Sequence, residues 1–502
     1  MPAAPDLSTT TAETHMSWLF FTPDRAYKRL KPVAMPFIDH TGVSQRIASI
    51  DREFELNHAI SPDVYLGTAD VHEHGELVDR MLVMRRLPEA RRLSNLVGTP
   101  DFDTQLRAVA KSIATLHAER APVLDAPMAE HAAVARNWAD NIAVFREHIG
   151  ATFSEDDVDR VEQLVGRYLD RREVLFADRI SGGWVRDVHG DLIADDIYCL
   201  DDGPRLIDCL AFNDRWRIVD VLADIAFLVM DIHRLAGATA AERLMAWYHE
   251  FSNEQHPASL AHHYVAYRAS VRAKVACLRA AQGDHASHSI AGAYLRLVLD
   301  HLERARLRVI MVGGGPGTGK STLARQLGEH FGYAVLSSDE VRKDVTATPR
   351  DEHHFAAVGG DIYQPGVNRQ THDELRREAD LLLRNGCGVI LDATWRDPCD
   401  REAVRQLAQR RGAELVELRC TLDTETAKAR VRHRLADPTD PGSISDATPE
   451  LIDTLAAQPF HWPEATEIAT DGRAEQAKQR AARACSVDTP PRRETAPTKE
   501  TP

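Results

Sequence analysis

The segment Gly314-Gly315-Pro316-Gly317-Thr318-Gly319-Lys320-Ser321 has the spacing GxxxxGK[ST], with Thr322 beside it. Glycines let the backbone turn tightly, so that successive N–H groups and the start of the next helix face phosphate oxygens. In that arrangement Lys320 reaches the β and γ phosphates of a nucleotide and Ser321 offers a hydroxyl to Mg²⁺. The apolar run Val309-Ile310-Met311-Val312 predicts a buried strand just before the motif, and a helix is predicted from about Lys320. That strand, loop and helix context gives the spacing its meaning.

A magnesium-bearing site needs a carboxylate at the end of a neighbouring strand. Val389-Ile390-Leu391-Asp392-Ala393-Thr394 puts Asp392 there. Nineteen residues past Lys320, in Ser337-Ser338-Asp339-Glu340-Val341-Arg342, Asp339 is the candidate base for an acceptor hydroxyl and Arg342 the candidate acceptor ligand. The plainer alternative is that Ser338 or Asp339 caps the next helix. Further on, Arg430 and Arg434 share one predicted helical face ahead of a Pro- and Asp-rich stretch at 437–446. That is the pattern of a flap over ATP, and equally of a solvated basic helix.

A second acidic constellation lies upstream. His189-Gly190-Asp191-Leu192-Ile193-Ala194-Asp195-Asp196 is followed by Leu206-Ile207-Asp208, two acidic centres joined by a predicted hairpin. Phosphotransfer sites are built this way. One carboxylate orients the hydroxyl, an oxygen five residues on binds Mg²⁺, and a carboxylate after the next strand binds it again.

The elements that must position these groups follow from apolar spacing. Residues 15 to about 90 read as strand-rich, with runs at Trp18–Thr22, Arg25–Leu30 and Leu82–Leu87, a turn at His74–Glu76 and one helix over about Ser44–Ala59. Leu106, Val109, Ile113 and Leu116 recur at three and four, opening a helical region that runs to about 175. A strand, turn and strand follow at 184–208, then helices from Asp220 to about 306. Beyond that, short strands at Ala334–Leu336, Cys387–Leu391, Glu414–Leu418 and Glu467–Ala469 alternate with amphipathic helices, the rhythm of a parallel sheet. The expected division is 15–305 and 306–485, with mobile ends over 1–14 and 486–502 and no Gly/Ser linker between the halves.

Residues 306 to about 472 resemble small P-loop kinases of the gluconokinase, chloramphenicol phosphotransferase and zeta-toxin type, where Ser338-Asp339-x-x-Arg342 after the second strand and Asp392-Ala393-Thr394 after the third recur. They are also similar to polynucleotide 5′-kinase domains. The resemblance implies transfer of the ATP γ-phosphate to a hydroxyl. The HGDL segment, with Leu206-Ile207, Asp220 and Asp224, resembles the aminoglycoside phosphotransferase-like kinase fold, with 15–300 as its two lobes. That family reads HGDLHxxN, which implies Asp191 as the hydroxyl-orienting base, Asp208 as the main magnesium ligand, and Asp196, an aspartate in the asparagine position, as the other ligand.

The same resemblance implies Lys28 as the phosphate-pairing lysine with Glu53 as its partner, and Lys31 close enough to compete. It also implies Leu82-Val83-Met84 leading to Arg85-Arg86-Leu87-Pro88 as an adenine hinge. Phe20-Phe21-Thr22-Pro23-Asp24-Arg25 stands where a GxGxxG loop would cover the phosphates. The combination of halves resembles a family of bacterial bifunctional proteins over nearly the whole chain, most specifically at 53–57, 62–67 and 207–214.

Composition narrows the classes. The 502 residues are 43% hydrophobic and 27% charged, which excludes a disordered or collagenous chain. The longest apolar stretch, Val219–Ile232, is broken by Asp220, Asp224 and Asp231 and falls short of the roughly 18 to 20 residues of a membrane span. No basic segment precedes an apolar core at the N-terminus, so the expected location is cytoplasmic. A net charge of -15 ranks nucleic acid last among partners. The seven cysteines, Cys199, Cys209, Cys277, Cys387, Cys399, Cys420 and Cys485, form no CxxC pair and indicate neither a disulfide frame nor a thiolate zinc site. The 23 histidines, including the pairs 262–263 and 353–354, read as surface or core residues rather than metal ligands.

The expectation is therefore an α+β kinase-like two-lobed domain followed by an α/β P-loop NTPase domain with a parallel sheet. It would move the ATP γ-phosphate, with Mg²⁺, to a small-molecule hydroxyl, chiefly through the C-terminal half. The N-terminal half would be a second or a degenerate site. An ATP-sensing regulator with a pseudokinase half and a polynucleotide 5′-kinase stand as alternatives. The acceptor and any homo-oligomer are left open.

Overall fold

The computed structural model describes residues 10–14, 16–35, 38–347, 365–436, 448–458 and 460–486. Two compact units emerge: one from residues up to 165, 175–256 and 260–304, the other from 166–174, 257–259 and 305 onward. The stretch at 437–446, where sequence predicts a flap, and the tail after 486 lie outside the described residues.

The first unit opens with strands β1 (Thr10–Glu13), β2 (Ser17–Phe21) and β3 (Arg25–Leu30) and a small hairpin of β4 (Ala34–Met35) and β5 (Ile38–Asp39). Helix α1 (Val43–His58), β6 (Tyr65–Glu73) and β7 (Glu76–Arg85) follow. An antiparallel sheet runs in the order β1-β2-β3-β7-β6. Sequence assigns residues 1–14 to a mobile end, whereas Thr10–Glu13 pairs with β2, Thr10 opposite Phe21 and Glu13 opposite Trp18. All four side chains are exposed, so backbone hydrogen bonds hold this edge without any apolar pattern to betray it. The β6–β7 hairpin reverses at His74 and Gly75, at φ 52° and 89°, the left-handed pair that matches strand twist. Beneath the sheet, Ile50 of α1 packs with Leu30, Val64, Tyr65 and Leu82.

The rest of the unit is largely helical. It comprises α2 (Phe102–Glu119), α3 (His131–Glu147), α4 (Glu155–Leu169), α5 (Glu173–Ser181), strands β8 (Val185–Asp187), β9 (Ile197–Leu200) and β10 (Gly203–Leu206), α6 (Asp214–Arg217), β11 (Ile218–Asp220), α7 (Val221–Ala236), α8 (Ala238–Ser252), α9 (Ala258–Ala281) and α10 (Ser287–Arg304). Strand β8 pairs with β11 and β9 with β10. The predicted α2 stripe of Leu106, Val109, Ile113 and Leu116 is buried. Helix α7 is buried continuously from Val221 to Ile232. Among the described residues, no helix is long and apolar enough to cross a membrane.

The second unit alternates strand and helix: β12 (Arg308–Gly313), α11 (Lys320–Phe331), β13 (Ala334–Ser337), α12 (Ser338–Val345), α13 (Pro365–Arg384), β14 (Val389–Asp392), α14 (Pro398–Arg410), β15 (Glu414–Thr421), α15 (Thr424–Ala436), α16 (Pro449–Ala456), β16 (Thr466–Ala469) and α17 (Ala474–Ser486). Among the described residues its five strands are all parallel, in the order β13-β14-β12-β15-β16. Side chains alternate along β12. Val309 and Met311 pack with Leu375, Leu383 and Leu407, while Ile310 and Val312 pack with Leu323, Leu327 and Ala481. Each such fully buried aliphatic side chain contributes about 1.5–3 kcal/mol. In an open parallel sheet, residues at the carboxyl ends of the strands meet in one crevice. Here those residues are Gly314 onward after β12, Ser337 at the end of β13, Asp392 at the end of β14, and Thr470 after β16.

Candidate active sites

In the second unit the loop after β12 passes through Gly317 and Gly319 at φ 74° and 83° and enters α11 at Lys320. A Cβ on Gly317 would stand 2.5 Å from the Ala427 carbonyl oxygen of α15, so only glycine allows this approach. Thr318 Oγ1 donates to Gly315 O at 2.8 Å. Thr470 Oγ1 donates to Thr318 O at 2.7 Å, and Arg430 Nη2 donates to Thr470 O at 2.8 Å. Sequence offers no signal for Thr470 except its place just past a short strand, because topology alone brings it to the loop.

Asp392 is 2% exposed. Burial raises its carboxyl, while the Lys320 charge and a Ser321 hydrogen bond oppose the rise. Its Oδ1 has no hydrogen-bond partner among the described residues. A buried carboxylate oxygen without a donor, beside a hydroxyl, is a fitting place for a hard divalent cation. A cleft of about 740 Å³ brings together Gly317, Gly319, Lys320, Ser321, Thr322, Asp339, Asp392, Arg430 and Arg434. Gly314, Gly315, Pro316 and Thr318 complete the same turn without lining the cleft. His433 and Glu340, absent from the sequence expectation, line it too.

The cap of α12 corrects the sequence alternative. Ser337, rather than Ser338 or Asp339, accepts the Asp339 N–H at 3.3 Å. The Asp339 carboxylate instead takes a bond from Arg342 Nη1 at 2.8 Å. Trp395, beyond Asp392, sits at φ 54° with 1% exposure, and its Nε1 donates to Leu391 O at 3.2 Å. A bulky residue in the left-handed region next to a functional strand end is a place where strain is held by packing.

In the first unit Lys28 Nζ lies 2.7 Å from Glu53 and 3.2 Å from Asp208. Burial pulls Lys28 down, but the Asp208 and Glu53 carboxylates outweigh it and hold the ammonium above its ordinary range. Lys31 does not compete, because it bonds Glu13 at 2.5 Å and the Thr14 carbonyl. Asp208 sits at φ 60° and its N–H donates to Tyr65 Oη at 2.8 Å. The Lys28 charge holds the Asp208 carboxyl below the usual range. The turn between β2 and β3 is closed by Thr22 N–H to Arg25 O at 2.9 Å, too short for a glycine loop.

The 189–196 loop hangs on α7. Asp224 accepts Gly190 N–H at 2.7 Å and His189 N–H at 3.3 Å, and its Oδ2 is 3.0 Å from His117 Nε2. Asp231 accepts Ala194 N–H at 3.0 Å. Asp220 caps α7 through Leu222 N–H at 2.9 Å. His189 Nε2 meets Ile207 O at 2.8 Å, tying the loop to the segment of Asp208. Burial, followed by the charges of Asp208 and Asp191, pushes the Asp196 carboxyl well above its ordinary range. Burial also raises Asp191, against the pull of Arg272, His189 and Arg268. Three mutually repelling carboxylates are a donor set suited to Mg²⁺.

The phosphate loop at the head of an all-parallel sheet makes the second unit a P-loop kinase unit and the chain an ATP-dependent phosphotransferase, while the first unit joins a five-stranded antiparallel sheet to a largely helical part. A family model described as an AAA domain matches residues 309–458. Over 465 residues, 92% of this chain and 92% of the relative, the sequence is 38% identical to the uncharacterized protein Rv2004c of Mycobacterium tuberculosis, and the chain belongs to that protein's family. It is 26% identical over 166 residues to the adenylate kinase of Mycobacterium leprae, covering 30% of this chain and 87% of that one. A solved choline/ethanolamine kinase family protein from Mesorhizobium loti aligns at TM-score 0.37 and 13% identity, over 60% of this chain and 94% of its own.

Proposed function

We propose that the second unit transfers the γ-phosphoryl group of ATP to a hydroxyl of a small molecule. The observation that carries this reading is the buried Asp392, with an open carboxylate oxygen, sharing one cleft with Lys320, Ser321 and Asp339. Ser321 and Asp392 would hold Mg²⁺, which when bound would offset the negative charge of the phosphates. The loop N–H groups hold the phosphates, and Lys320, Arg430 and Arg434 spread the charge that builds on the transferring group. Asp339, oriented by Arg342, takes the proton of the acceptor hydroxyl. The bond from the γ phosphorus to the β–γ bridging oxygen breaks, a bond to the acceptor oxygen forms, and ADP leaves. The net charge of -15 favours a small acceptor over a nucleic-acid end.

The first unit is read as a second phosphotransfer site rather than a bare scaffold. The Lys28, Glu53 and Asp208 triad is assembled, and this observation favours the reading. There Asp191 would act as base, with Asp196 and Asp208 holding Mg²⁺.

Turnover of Mg-ATP against a panel of hydroxyl compounds, in full-length chains checked by circular dichroism, tests both. Lys320→Ala is expected to lose the principal turnover by about 100-fold or more. Asp339→Asn is expected to lower kcat by about 100- to 10,000-fold with little change in nucleotide KM. Asp191→Ala should remove a separate activity. A folded Lys320→Ala protein with undiminished turnover overturns the assignment to the second unit.

A further inference from the structure

Away from both sites, three histidines and an aspartate meet near the C-terminal ends of α7 and α10. His233 lies in the last turn of α7, Asp300 and His301 near the end of α10, and His262 near the start of α9. His233 Nδ1 is 2.8 Å from His301 Nε2, and His262 Nδ1 is 3.0 Å from His301 Nδ1. Ligand atoms of His233, Asp300 and His301 all fall within 4.8 Å of one another. Sequence treats the histidines as surface or core residues. That suits His263, which accepts Trp138 Nε1–H at 3.2 Å. His301 is another matter, 3% exposed with both ring nitrogens against other imidazoles.

We propose that His233 Nδ1, His301 Nε2 and an Asp300 carboxylate oxygen bind a divalent transition metal, zinc before others, with the fourth position open to solvent. Two imidazoles and one carboxylate form a donor set too rich in nitrogen for magnesium or calcium and proper to zinc. The tautomers agree. With Nε2 of His301 on the metal, its Nδ1–H donates to His262 Nδ1, the outer hydrogen bond that orients a metal-bound imidazole.

His233 and His301 lie in the last turns of α7 and α10, whose ends carry partial negative charge, and His262 lies near the positive start of α9. Arg304, 3.2 Å from Asp300, is the opposing charge, and it is shared with Glu242 at 3.3 Å. Metal–nitrogen bonds of about 2.0–2.1 Å at a tetrahedral angle set the two nitrogens about 3.4 Å apart, so the present contact must open by about 0.6 Å. His233 and Asp300 are only half-buried and have room to give.

The test uses the full-length chain stripped with EDTA and titrated, without nucleotide, with Co²⁺ and then Zn²⁺. One Co²⁺ per chain with the visible absorption of a tetrahedral site is expected, displaced by one Zn²⁺, together with a rise in melting temperature that Mg²⁺ does not give. His301→Gln should abolish this binding, and His233→Gln and Asp300→Asn should each weaken it by about 10-fold or more. His262→Gln should weaken it by about 10- to 100-fold while leaving one site. If His301→Gln fails to fold, Asp300→Asn, changed at a side chain 43% exposed, carries the test. Wild type without tetrahedral cobalt, or His233→Gln and Asp300→Asn that bind zinc as wild type does, overturns the proposal. The readout is independent of phosphotransfer at either active site.

Discussion

The Oδ1 oxygen of Asp224 accepts the main-chain N–H of Gly190 at 2.7 Å, so the loop that carries Asp191 hangs from the interior of a buried helix. The other oxygen serves His189 N–H and His117 Nε2. Asp224→Asn replaces one acceptor oxygen by a donor and leaves a buried partner unmatched. A loss of about 1–3 kcal/mol is expected in urea unfolding of the first unit, along with loss of the Asp191-dependent activity. Turnover that depends on Lys320 should persist.

Gly317 takes φ 74° and faces the Ala427 carbonyl oxygen, 2.5 Å from where a Cβ would stand. Gly317→Ala must shift either the phosphate loop or α15. Nucleotide affinity measured by isothermal titration calorimetry is expected to fall by about 10-fold or more, with circular dichroism little changed.

Asp196 should weigh on the first unit when no cation is bound to it. Its carboxyl is raised by burial and by the charges of Asp208 and Asp191, so above the ordinary aspartate range the folded state holds an ion it would sooner protonate. The cost is present at pH 7 and vanishes as pH falls below that range. Asp196→Asn is therefore expected to melt higher at pH 7 without magnesium, by at least about 2 °C. The gap to wild type should close in acid, and should narrow when Mg²⁺ is added. A melting temperature equal to or below wild type at pH 7 would count against this account.

Burial pushes His263 down to about 3 from 6.5. The folded chain keeps it neutral, while the unfolded chain takes up a proton below about pH 6.5. Stability is thus full above that pH and falls on acidification. Between pH 7 and 5 the loss from this group is about 2 kcal/mol. His263→Gln, which keeps an acceptor for Trp138, should flatten the pH slope of chemical denaturation by that amount.

Much of this was open to reading where a local pattern carries the information. The phosphate loop, Asp392 at a strand end and the α2 stripe each follow from a few consecutive residues. What escaped depends on distant segments. Thr10–Glu13 holds by backbone pairing, Thr470 reaches the loop from the far edge of the sheet, and His233, His262 and His301 come from three separate helices. Asp224 and Asp231 look in sequence like interruptions of an apolar run, and folded they are the hooks for 189–196.

Those hooks have a consequence for inheritance. Asp224 and Asp231 serve the core and the loop at once, so a descendant that abandons chemistry in the first unit still loses stability when it discards them. Drift in this family will leave its record earliest in Asp191, which holds neither Asp224 nor Asp231 in place, and later in Lys28 and Asp208, which are bound in an ion triad with Glu53. A relative that keeps those three has kept them under selection for what they do.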